Sequence, residues 1–159
     1  MNNIKDLRWI WLLVMAATVG FIWQQSTLAP VASAETSDAV RDVIVPAVGG
    51  PTSVLGSFVD RFIRKIAHFF EFAVLGLESE AYWTGRHTRL TVLLQMVAGL
   101  LVAACDEVLQ LFTDRGAAFT DVLLDFSGFV FAALAARSIL LLCRRFIKKR
   151  KADATGRRG

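Results

Sequence analysis

Four stretches of the chain are apolar over helical lengths, and in all but the second charged residues are thin. The first, residues 7–26, is uncharged from Trp9 to Trp23, with Trp9, Trp11 and Trp23 near its ends where an interfacial belt would stand. The second, residues 62–83, is apolar overall but carries Arg64, Lys65, His68, Glu71, Glu78 and Glu80. The third, residues 90–112, is uncharged until Asp106, and the fourth, residues 121–143, holds Asp125 and Arg137. Crossing a hydrocarbon core of about 30 Å takes about 20 residues of helix. None of the four shows the short alternating segments of a β-barrel. The pattern predicts an all-α polytopic membrane protein, a bundle of four transmembrane helices.

Composition agrees. Of 159 residues, 55% are hydrophobic and 20% charged, at a mean hydropathy of +0.50. This excludes a disordered chain and makes an ordinary soluble enzyme a poor fit. The net charge of +4 does not point to nucleic acid. Arg144, Arg145, Lys148, Lys149, Arg150, Lys151, Arg157 and Arg158 all follow the last apolar run, so they form a tail beside a membrane segment rather than a basic face. Lys5 and Arg8, Arg86 and Arg89, and this basic tail (residues 144–159) fall on one side of a four-span chain. The positive-inside tendency makes that side, with both termini, cytoplasmic. The loop over residues 27–57, with a short capped helix expected at residues 37–44, and the turn over residues 113–120 then face outward. Ala32-Ser33-Ala34 resembles a signal cleavage site, but it lies far beyond a Trp-flanked run that is long for a signal. Cys105 and Cys143 lie near opposite ends of their spans, too far apart for a disulfide, and are expected as small apolar packers.

In this topology a rise of 1.5 Å per residue puts His68, Asp106 and Asp125 in one slab, about 6–8 Å beneath the outer surface. Glu71 lies one turn deeper; Glu107, Gln110 and Asp121 lie level with the three or above them. Lys65, His68 and Phe72 share one face, as do Asp106 and Gln110, and Asp121, Asp125 and Gly128. Facing lipid, each charge would cost at least about 2.5–3.5 kcal/mol, so the stripes should face one another or a wet cavity. Gly99, Gly128, Ala132, Ala133 and Ala135 provide small residues for close helix approach. A salt-bridge network fixing helix register would explain the slab, except that Lys65 and Arg115 face five carboxylates: Glu71, Asp106, Glu107, Asp121 and Asp125. Such a surplus must share protons, admit water or bind a cation. Asp106, Glu107 and Asp125, with one nitrogen from His68, are candidate ligands for a hard divalent ion. His68 beside Glu71 is a candidate base or proton relay. The spacing of a zinc peptidase is missing. The Phe69, Phe70, Phe72, Phe112, Phe119 and Phe126 set reads as packing, and Glu78 and Glu80 receive no role.

His68-Phe69-Phe70-Glu71-Phe72 behind Lys65, Asp106-Glu107-Val108-Leu109-Gln110, Arg115-Gly116, and Asp121 with Asp125 and Gly128 together resemble the VanZ-like membrane family. The Phe21–Ser26 exit of the first span is similar more loosely. The resemblance implies a four-helix envelope protein of the cell membrane associated with low-level resistance to teicoplanin-type glycopeptides. On that basis the expected function is an outward-facing polar site that binds or modifies an envelope lipid or lipid-linked cell-wall precursor. His68, Glu71, Asp106, Glu107 and Asp125 would do the chemistry, and Lys65, Gln110, Arg115 and Asp121 would hold the ligand. A small proton-coupled transporter and a structural accessory of an envelope complex are the alternatives.

Overall fold

The computed structural model describes residues 3–27, 43–44, 46–47, 49–50, 53–112 and 118–156, with side chains from residue 8 to residue 150 apart from a few positions. The described residues form long helices and no strand: α1 (Asn3–Thr27), α2 (Val54–Trp83), α3 (Arg89–Leu111) and α4 (Phe119–Gly156). Three of them are long and apolar enough to cross a membrane: Arg8–Thr27 of α1, all of α3, and Phe119–Arg150 of α4. The second segment was expected as a span despite its charges, but α2 falls outside this group. Its 30 residues carry too many charged side chains, from Arg64 and Lys65 to Glu78 and Glu80.

Local signals set the helix ends. Ser53 caps α2 by accepting a hydrogen bond from the Gly56 amide at 2.9 Å. At the start of α3, Thr88 Oγ1 accepts from the Thr91 amide at 3.1 Å and Thr91 Oγ1 from the Thr88 amide at 2.9 Å, a reciprocal cap. Gly85 turns the chain between α2 and α3 at φ +83°, a value that suits only glycine well. The stretch around Leu55 to Ile66, expected as an interfacial lead, is continuous with α2. The tail does not break away at residue 143 either: α4 runs 38 residues to Gly156, with Arg144, Arg145 and Lys148 on its exposed surface. The helix expected at residues 37–44 lies almost wholly outside the described residues.

α2 packs most extensively against α4, running parallel to it, and both also contact other helices: α2 meets α1, and α4 meets α3. The α2–α4 seam is built on glycine. A Cβ on Gly76 would sit 2.3 Å from the Phe129 carbonyl oxygen, and one on Gly128 would sit 2.3 Å from the Phe69 carbonyl oxygen. Only glycine lets the two backbones approach this closely. Gly128, Ala132 and Ala133 were expected in this role; Gly76 was not. Ile22, Phe72, Leu75, Ala103, Val122 and Phe129 make the core between the helices. Of the phenylalanines expected as packing, Phe72 is buried, while Phe70, Phe112 and Phe119 face outward. Cys105 and Cys143 are free and exposed on the outer surface of the bundle instead of being packed within it.

Candidate functional site

The interior of this bundle is polar in two layers, and the exterior is apolar. On α2 the exposed residues include Phe58, Phe62, Ile66, Phe70, Val74 and Leu77, a stripe recurring every three or four positions. The opposite face of the same helix turns His68, Glu71, Glu78 and Glu80 inward, while Arg61 and Lys65 near its start are exposed. Exposed leucines and valines cover α3 in the same way.

The first polar layer gathers residues of all four helices. Asp106 is fully buried on α3 and held on both oxygens. Ser26 Oγ of α1 donates to Oδ1 at 2.6 Å, and Gln110 Nε2 donates to Oδ2 at 2.9 Å. The two parts of this clamp come from the last turn of α1 and from the position one turn along α3. His68 Nδ1 of α2 stands 3.9 Å from Asp106 Oδ2 and 3.6 Å from Glu71 Oε2. Asp125 of α4 is 2% exposed, and no hydrogen bond reaches its carboxylate among the described residues. One donor atom each from His68, Asp106 and Asp125 lies within 4.8 Å of the others. Ligands of one ion at about 2.0–2.6 Å stand no more than about 4–5 Å apart, so this spacing fits a shared divalent cation. Two carboxylates and an imidazole also suit such an ion chemically.

The other expected residues sit around this group. Lys65 donates to Asp121, tying α2 to the first turn of α4 and leaving the inner carboxylates without that cation. Glu107 departs from the expected ligand set: the Ala118 amide donates to its Oε1, so the side chain caps the start of α4. It is not among the three converging donors. Glu71 borders the group, with Oε2 buried and without a hydrogen-bond partner among the described residues. Arg115 and Gly116 lie outside the described residues. Ser26 is the member the sequence reading missed; its only signal was a polar exit from an apolar run.

The second layer lies toward the other end of the bundle, and it gives Glu78 and Glu80 surroundings. Thr18 Oγ1 of α1 donates to Glu78 Oε1 at 2.9 Å. Glu80, 1% exposed, faces His87 Nε2 at 3.2 Å and Gln95 Nε2 of α3 at 3.5 Å. Arg8 lies over the Tyr82 ring at 4.5 Å from its centre.

An apolar exterior, three helices able to cross a bilayer and buried charged layers define an all-helical membrane protein with an internal polar site. A sequence profile of the VanZ/LLP1 family matches residues 8–142, and the chain belongs to that family. Neither a curated protein nor a solved structure matches it.

Proposed function

We propose that this protein holds a divalent cation between His68, Asp106 and Asp125 at the outer face of the cell membrane. Through that ion it binds the anionic head group of an envelope lipid or lipid-linked cell-wall precursor, lowering sensitivity to teicoplanin-type lipoglycopeptides. The observation that carries this reading is the convergence of two buried carboxylates and an imidazole from three helices. With Lys65 engaged by Asp121, a bound cation would neutralise the pair and offer open coordination positions to a phosphate. Modification of the bound lipid would draw on Glu71, which borders the ion site, as general base.

The reading requires four spans with both termini in the cytoplasm. The outward stripe from Phe58 to Leu77 supports α2 as the fourth, since Glu71, Glu78 and Glu80 turn inward while its outer face suits lipid. The short turn at Gly85 and the exposed basic end of α4 agree with the positive-inside rule.

The test is Asp106→Asn and Asp125→Asn in a host without its own family member, measuring teicoplanin tolerance and thermal stability together. Folded protein with tolerance lost is expected. Folded protein with normal tolerance would overturn the site, and tolerance falling only in step with stability would favour a structural network. The second buried layer at Glu78 and Glu80 favours one alternative, a proton-coupled transporter. A proton flux through protein-loaded vesicles that Glu80→Gln abolishes would establish that reading instead.

A further inference from the structure

An apolar groove of about 470 Å³ opens on the bundle surface along α1 and α3, with Leu75 of α2 and Phe129 of α4 lining it from within. On α1 its lining recurs at Leu12, Met15, Val19 and Trp23, a single helical stripe. Ala16, Gly20 and Ala98 are exposed members of the lining, and their small side chains leave the groove open laterally. Continued along each helix, the lining leads to the polar cluster. Ser26 follows Trp23 by three positions on α1, Asp106 follows Val102 by four on α3, and Asp125 precedes Phe129 by four on α4. On α2, His68 stands seven positions before Leu75 on the same face. The ionisable group therefore lies about one turn beyond the groove's end on three helices and two turns on the fourth.

The dimensions select the occupant. From Leu12 to Trp23 the groove runs about 16 Å along α1, half of a hydrocarbon core of about 30 Å. That is about the length one hydrocarbon chain takes up in a leaflet. A packed helix of about 10–12 Å diameter over this length would fill more than about 1,200 Å³, well beyond the groove's 470 Å³, whereas a single hydrocarbon chain fits. We infer that the groove takes one hydrocarbon chain of a lipid phosphate whose head group sits at the His68–Asp106–Asp125 cluster. This rests on the cation reading of that cluster and narrows its ligand to an amphiphile held at both ends. Selectivity then comes from the combination: the ion recognises the phosphate, and the groove recognises a chain that enters sideways from the bilayer.

The experiment uses the full chain in detergent with Mn²⁺ and a hexadecyl phosphate carrying a photoreactive diazirine in its chain. Crosslinks are expected on the peptides holding Met15 to Trp23 and Ala98 to Val102, with unlabelled hexadecyl phosphate competing and hexadecanol competing at least tenfold less well. A Cβ on Gly20 meets nothing within 4 Å, so Gly20→Phe fills the groove without a backbone clash. It should weaken probe capture at least tenfold while leaving the Mn²⁺-induced rise in melting temperature intact. Asp125→Asn should lose that rise and the phosphate preference together. A wild-type protein with no Mn²⁺ response would overturn the cation reading. A normal Mn²⁺ response with crosslinks scattered over the outward residues Leu13, Phe21 and Leu93 would overturn the groove alone. So would unaltered capture by Gly20→Phe, or a dimer of the chain in which the groove is shielded.

Discussion

Replacing Gly76 or Gly128 by alanine adds one methyl group to the seam between α2 and α4, and the structure fixes what it meets. The new Cβ would lie 2.3 Å from a backbone carbonyl oxygen of the facing helix, where ordinary contact begins at 3.4 Å. The obstacle is main chain, so no rotamer change relieves it and the helices must part by about 1 Å. Overpacking of this kind costs about 1–3 kcal/mol, and a rigid backbone neighbour argues for the upper end. Against that stands the helix preference of alanine over glycine, about 1 kcal/mol. The net loss is about 2 kcal/mol for either variant, a fall in melting temperature of about 4–8 °C for a chain of this size. Both contacts fall on the adjacent α4 residues Gly128 and Phe129, so the double variant should lose less than the sum, since the first separation relieves the second clash. Gly20→Ala is the control, because its Cβ enters open space and should leave stability unchanged or raised. Thermal unfolding of purified protein in one detergent, followed by helical circular dichroism, measures all four. Equal melting temperatures for Gly76→Ala and Gly20→Ala would refute the close approach of α2 and α4.

Three further outcomes follow. Ser26→Ala removes a buried hydrogen bond to a carboxylate, worth about 1.5–3 kcal/mol, and should lower the melting temperature by several degrees; an unchanged value would mean that Asp106 is not held from α1. Glu107→Ala should cost about 0.5–2 kcal/mol through the lost cap on α4 yet keep any response to divalent ion, which separates it from Asp125→Asn. Reporter fusions at Gly50 and Ala117 should read external and those at Arg86 and Ala154 cytoplasmic; a cytoplasmic signal at Ala117 would invert the outward site.

Legibility of the sequence followed the cost of error. His68, Asp106 and Asp125 stood out because charged side chains in apolar helices are expensive unless they meet, and the structure brings them together. Glu107 was misleading because it neighbours Asp106 in sequence, yet successive residues of a helix point about 100° apart, and this one reaches the start of α4. Ser26 was hidden because a helical serine satisfies its own backbone as readily as a distant carboxylate. Glu78 and Glu80 were visible as anomalies, but their partners Thr18, His87 and Gln95 come from three separate segments, a pairing that only the packed bundle creates. The helical continuation of α4 past Cys143 left no periodic trace, since a run of basic residues has no apolar face to mark.

Whether His68, Asp106 and Asp125 hold one divalent cation is measured directly by the melting temperature of the detergent-purified protein under Mn²⁺ titration. An ion that binds only the folded state adds about 2.7 kcal/mol at a hundredfold excess over its dissociation constant, a rise of about 5–10 °C. A saturable rise of that size is expected, reversed by chelator and absent in Asp106→Asn and Asp125→Asn. A melting temperature indifferent to Mn²⁺ and chelator, or an equal rise in Asp125→Asn, would contradict it.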